Sequence, residues 1–131
     1  MDVGKAVIVA GIGCRKDTTV EAVLTALQDA SRKHGVKFDF IATAPIKAQE
    51  PGLLEAATRL DIALVVVAQA DFESAAPRTM TRSETSLKHS GSPCLCEASA
   101  LAALGPGSTL IAPRMVMGDI TVAIAASGDD E

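Results

Sequence analysis

The reading of residues 5–23, KAVIVAGIGCRKDTTVEAV, decides the fold. Lys5 to Ala10 is a short, β-branched, apolar run of the kind expected of a strand buried on both faces. Gly11, Gly13, a cysteine and two cations follow it. Thr18 and Glu21 then have capping-box spacing, in which a hydroxyl takes an amide of the first turn and a carboxylate reaches back. Val20, Val23, Leu24, Leu27 and Ser31 keep to one helical stripe. Arg32, Lys33 and His34 suit the negative end of the helix dipole, and Gly35 suits the position just past it. A strand, a glycine-bearing turn and a capped helix in so little chain predict an α/β unit.

The same grammar continues outward. Phe38 to Thr43 predicts a second strand, ended by Ala44-Pro45. Pro51 fits the first position of a second helix, with Leu53, Leu54, Ala57 and Leu60 on its apolar side. Ile62 to Ala68 is the most hydrophobic run and predicts a buried third strand. Strands alternating with helices over short connections imply right-handed crossovers and parallel pairing. Gln69 to Arg82 is polar and aperiodic, as expected of a loop. Ser83 is placed to cap a short helix to His89, and Gly91-Ser92-Pro93 interrupts the chain. Glu97 to Leu104 predicts an Ala-rich helix closed by Gly105-Pro106-Gly107. Thr109 to Ala112 and Ile120 to Ala126 predict two strands of a hairpin turning through Met115 to Asp119. The expected architecture is one α/β domain over residues 1–127, followed by an acidic tail at 128–131. It is a three-layer α/β/α arrangement whose mixed, mostly parallel sheet of about five strands has an antiparallel edge.

Composition narrows the function. A chain of 131 residues accommodates one domain with a real core. Its net charge of −4 excludes the basic surface a nucleic-acid binder needs, and three phenylalanines without Trp or Tyr give bases nothing to stack on. Three cysteines, an odd number, speak against a disulfide framework and for a reducing compartment. Neither a signal peptide nor an apolar run long enough to span a bilayer is recognisable, so a cytoplasmic location without membrane contact is expected.

The opening stretch is not a nucleotide loop. Lys16 stands where the dinucleotide fingerprint needs its third glycine, Asp39 lies within the second predicted strand, and no glycine-lysine-hydroxyl triplet is present. What remains is an anion seat. Gly11 and Gly13 permit positive φ, so consecutive amides can form a nest at a helix N-terminus, with Arg15 and Lys16 adding charge. Lys47 and Glu50 follow the second strand and Arg114 follows a later one. Arg15, Lys47 and Arg114 are therefore expected to converge on one anionic ligand, with Glu50 and Glu97 orienting them. Cys14 has a nucleophile's position beside a helix N-terminus but no histidine partner, and a packing role is the simpler reading. Cys94 and Cys96 form a C-x-C pair that lacks the further ligands of a metal site, and Cys96 is expected to face the core. Neither a metal nor a cofactor is called for. Ser83 and Ser86 are candidate hydrogen-bond donors to ligand carboxylates.

Four motifs in order, GIGCRKDT, IKAQEPGLLEAA, SGSPCLCEASALAA and ITVAIA, resemble the CobE / CbiG C-terminal domain family of cobalamin (vitamin B12) biosynthesis. The likeness spans nearly the whole chain. It departs at Asp17, where the family usually has glycine, and at SPCLC, which replaces a valine-rich run. The resemblance implies a protein that binds a precorrin or hydrogenobyrinic-type tetrapyrrole, whose carboxylates suit the anion seat. Gly11, Gly13, Cys14, Arg15, Lys47, Glu50, Ser83, Glu97 and Arg114 are then the ligand-binding candidates. Longer fused members hydrolyse a precorrin lactone, which makes Glu50 or Glu97 a candidate general base in an enzymatic alternative. Docking on a methyltransferase of the pathway is the third reading.

Overall fold

The computed structural model describes residues 7–15, 17–80 and 94–127. Their elements run β1 (Ile8–Cys14), α1 (Val20–His34), β2 (Phe40–Thr43), α2 (Pro51–Leu60), β3 (Ala63–Val66), α3 (Gln69–Ala75), α4 (Leu95–Leu104), β4 (Thr109–Met117) and β5 (Ile120–Ala126). Single 3-10 turns sit at Pro45–Lys47 and Ala76–Arg78. The five strands are ordered β3-β2-β1-β5-β4. β1 pairs in parallel with β2, and β2 with β3, whereas β5 runs antiparallel to both β1 and β4. Four strands therefore share one direction and β5 alone opposes them, which is the mixed α/β sheet expected from the sequence.

Side-chain alternation along β1 assigns the layers. Ala10 and Ile12 point into a core closed by α1 and α2, with Val23, Leu27, Leu53 and Ile124. Val9 points to the other face, into a core with Phe72 of α3 and Ala98 and Leu101 of α4. Both cores are built largely from alanine and β-branched residues, so helices and sheet lie close together.

That closeness explains the glycines of the opening stretch, and it corrects their reading. β1 does not stop at Ala10. It continues through Gly11 and Gly13, paired residue by residue with β5 from Ile8↔Ala126 to Cys14↔Ile120. Neither glycine is among the described residues with positive φ, so there is no amide nest there. Gly11 instead lies under α4. A Cβ on it would stand 2.0 Å from the carbonyl oxygen of Cys96 and 2.7 Å from the amide nitrogen of Ala100. At Gly13 the nearest atoms would be Thr121 Oγ1 at 3.0 Å and Leu95 Cδ2 at 3.2 Å.

Other boundaries also move. Thr19, not Thr18, caps α1, accepting a hydrogen bond from the Ala22 amide at 3.2 Å. Thr18 instead donates its hydroxyl proton to the Arg15 carbonyl at 2.6 Å. β2 starts at Phe40 rather than Phe38, because Asp39 is used as a clasp. Its amide donates to the Ile8 carbonyl and its carboxylate accepts from the Ile8 amide, both at 2.8 Å. β3 is shorter than its apolar run and is an edge strand rather than a buried one, with Val66 40% exposed. On α2 the buried stripe runs through Leu53, Ala56 and Ala57, and Leu54 faces outward. The expected loop after β3 begins as α3, which Phe72 and Ala75 pin to the sheet from one helical face. α4 begins two residues earlier than Glu97. β4 runs on to Met117, with register shifts around Pro113 that its edge position tolerates. The expected Ser83–His89 helix lies outside the described residues.

Because the Gly11 clash is with helix backbone, Gly11→Ala should lift α4 and cost at least about 2–3 kcal/mol. Gly107→Ala, where a Cβ meets nothing within 4 Å, should be near neutral. Urea unfolding of both variants against wild type checks the pair. Equal stabilities would contradict the packing role of Gly11.

Candidate functional site

Each helix among the described residues starts at the same edge of the sheet. α1, α2 and α3 follow the carboxyl ends of β1, β2 and β3. The first turn of α4 lies against Gly13, one residue from the end of β1. Open α/β sheets bind ligands at this edge, where each helix N-terminus carries a partial positive charge of roughly half a unit.

On the α1/α2 face of that edge, Cys14, Thr18, Lys47 and Glu50 come together. Cys14 ends β1 and is half-buried. Burial pushes its thiol above the ordinary value and the Glu50 carboxylate pushes it further, while Lys47 and the Thr18 hydroxyl pull the other way. Cys14 is thus a neutral thiol at neutral pH, the opposite of an activated nucleophile. Lys47, half-buried in the turn after β2, supplies the cluster's cation.

Glu50, 8% exposed, precedes α2, and its Oε2 accepts the Asp17 amide at 2.9 Å. This holds Asp17 in a left-handed conformation, at φ 65°. The family's usual glycine suits that conformation, and aspartate is among the few other residues that adopt it readily. Gly52 completes the clasp. A Cβ there would meet the Thr18 carbonyl oxygen at 2.5 Å, so the first turn of α2 sits directly on the β1–α1 connection. Asp17, Thr18 and Gly52 shape this corner of the edge, although the motifs do not mark them as ligand candidates. The signal for Asp17 was its own departure from glycine.

Arg15 lies outside the cluster, at the rim. Its Nε pairs with Asp119 Oδ1 at 3.4 Å, with both side chains mostly exposed, and such a pair contributes about 0–1 kcal/mol. The guanidinium is free to re-pair with an incoming anion.

The expected convergence of Arg15, Lys47 and Arg114 needs correction. Arg114 sits within β4, three residues before its end at Met117, roughly 10 Å back from the edge along the strand. It belongs to the other face, below α4. There Glu97 is fully buried, its Oε1 accepting the Met80 amide at 2.6 Å and its Oε2 the Arg114 amide at 2.8 Å. The β4 irregularity next to Pro113 turns that amide out of the sheet ladder. Glu97 therefore ties α4 to the chain after α3 and to β4. Both glutamates hold backbone amides, and Glu97 has no solvent face from which to act as a base. Ser83 and Ser86 lie outside the described residues.

A groove of about 450 Å³ opens elsewhere, between the end of α2 and the start of β3, lined by Leu54, Ala57, Thr58, Asp61 and Leu64. It lies at the opposite edge of the sheet, its charged group is an acid, and it suits an anion poorly.

The family model for the cobalamin synthesis G C-terminus matches residues 8–125. The chain belongs to this family. It is 28% identical over 121 residues to the protein CobE of Sinorhizobium sp., covering 90% of this chain and 79% of that one. Among solved structures it is similar to the cobalamin biosynthesis protein chiG from Agrobacterium tumefaciens, at 54% identity and TM-score 0.78, covering 94% of this chain and all of the other. It also matches CobE, a protein from the cobalamin biosynthetic pathway, at 27% identity and TM-score 0.90, over 100% of this chain and 98% of that one. The membership makes this a cobalamin biosynthesis protein of the CobE/CbiG type. Among the described residues no helix is long and apolar enough to cross a membrane.

A raised thiol has a pH signature. Alkylation of Cys14 by iodoacetamide should follow a pH profile centred above that of free cysteine, and Glu50→Gln, by removing the neighbouring negative charge, should move it down. A profile centred below free cysteine would mean that cations, not burial and Glu50, dominate the site.

Proposed function

We propose that the protein binds a polycarboxylated intermediate of the corrin ring, of precorrin or hydrogenobyrinic type, at the carboxyl edge of the sheet. The observation that carries this reading is the meeting of the β1–α1 connection and the first turn of α2 beside Lys47, with Arg15 at the rim of the same edge. Amide dipoles and two cations make a receptor for more than one carboxylate, as such a pigment carries. Lys47 would hold a carboxylate near the half-buried Cys14, and Arg15 would exchange Asp119 for a second. The overall acidity of the chain, −4, means that recognition comes from this local cluster and not from long-range attraction.

In this reading Glu50 is a positioning residue that sets the β1–α1 connection, and the activity is binding rather than hydrolysis. The engagement of both glutamates with backbone amides favours it over a general-base role. Family membership supports the pathway, and tetrapyrrole chemistry supports the ligand class.

An optical titration with hydrogenobyrinic acid tests it. Wild type should show saturable spectral changes. Lys47→Ala should weaken binding about 10-fold, the worth of one charge-assisted hydrogen bond, and Arg15→Ala less. Affinity unchanged in the double variant would contradict the site, and release of acetaldehyde from a precorrin lactone would contradict a purely binding role.

A further inference from the structure

The SPCLC departure places two thiols that no part of the binding proposal uses. Cys94 Sγ and Cys96 Sγ lie 3.6 Å apart, both buried, at the start of α4. Cys94 is the residue before the helix, with extended φ −149° and ψ 107°, and Leu95 is its first helical residue. Residues flanking one helical residue have Cα atoms roughly 5.4 Å apart by helix geometry. A disulfide needs about 4.4–6.8 Å. The Cα spacing therefore falls in the range of a bridge, and the two sulfurs already face each other. Among the described residues no third Cys, His, Asp or Glu joins the pair to make a metal group.

We infer that Cys94 and Cys96 form a redox-active dithiol that closes reversibly to an intramolecular disulfide when the protein meets hydrogen peroxide. The roles of the two sulfurs follow from their places. Cys94 stands at the helix N-terminus, whose dipole favours a thiolate. The two thiols share a hydrogen bond, which with burial against Ala123 pushes Cys96 up. Cys94 is thus the attacking sulfur and Cys96 the resolving one. The Cys94 thiolate attacks one oxygen of the peroxide, the O–O bond breaks, and hydroxide leaves, giving a sulfenic acid. Cys96 sulfur then attacks the Cys94 sulfur, the S–O bond breaks, and the hydroxyl leaves as water with the thiol proton. Two thiols lose two electrons, and one peroxide becomes two waters. Access is through the first turn of α4, since helix ends open more readily than helix centres.

The third cysteine cannot pair with either, because Cys14 lies on the α1/α2 face and the pair lies on the α4 face. Closure has a structural consequence as well. Glu97, next in sequence, holds the Met80 and Arg114 amides, so a locked first turn braces the clamp on the α4 side.

The reduced full chain is treated with graded hydrogen peroxide, quenched with catalase, alkylated under denaturing conditions and digested with trypsin. The peptide carrying both Cys94 and Cys96 should lose two hydrogens and take no alkyl group, and dithiothreitol should restore two alkylation sites. Cys14 should remain alkylated. Cys96→Ser should instead trap a dimedone-reactive sulfenic acid at Cys94, and Cys94→Ser should slow oxidation of Cys96 at least ~10-fold. Both thiols surviving a dose that oxidises free glutathione would overturn the inference. So would oxygen addition without a bridge in wild type, or disulfides between chains.

Discussion

The structure depends on how closely α4 can lie on β1. At Gly11 the helix backbone occupies the space a Cβ would need, with the Cys96 carbonyl 2.0 Å from that point. This contact puts a short, alanine-rich helix flush on the sheet and centres β1 between β2 and β5. It brings the first turn of α4 to the edge where the other helices also begin. A glycine pair that looks like part of a ligand loop is thus a packing device. The electrostatic character of the site comes from what the packing aligns, namely helix N-termini, and not from the glycines.

Two buried carboxylates finish the work on opposite faces of the sheet. Glu50 fixes the connection between β1 and α1 through the Asp17 amide, and Glu97 fixes the chain after α3 and the irregular middle of β4. Buried carboxylates that accept backbone amides are well satisfied. Removing one would cost roughly 1.5–3 kcal/mol for each hydrogen bond to the charged group, and less where water reaches the part-buried amide. Their rigidity is what a binding edge needs. Lys47, Cys14 and the helix ends are held still, while Arg15 at the rim keeps a weak partner it can exchange.

Much of the fold was legible in the sequence, and the reasons differ by element. α1 was plain because its stripe, its terminal cations and Gly35 agree, and Gly35 does adopt the left-handed turn. α2 was marked by Pro51. The β-α-β-α-β alternation made parallel pairing follow, and the closing hairpin made the sheet mixed. β1 was cut short because glycine reads as punctuation until its neighbour across the sheet is known, and that neighbour, β5, lies more than a hundred residues on. α3 was missed because only Phe72 and Ala75 carry its buried face, too few for periodicity. At the site, Lys47 and Glu50 were found from their position after a strand. Arg114 was displaced because β4 extends past Pro113, so a residue that ends a short predicted strand lies inside a longer one. Glu97 drew attention as an acid, yet only burial reveals that it holds backbone.

The central claim is that one edge of the sheet, on its α1/α2 face, receives the carboxylates of a corrin-pathway pigment. Amide chemical-shift mapping during titration with hydrogenobyrinic acid tests this most directly. Shifts should concentrate in residues 14–20 and 47–52, leaving residues 54–64 around the α2–β3 groove unmoved. Saturable shifts confined to that groove would contradict the account.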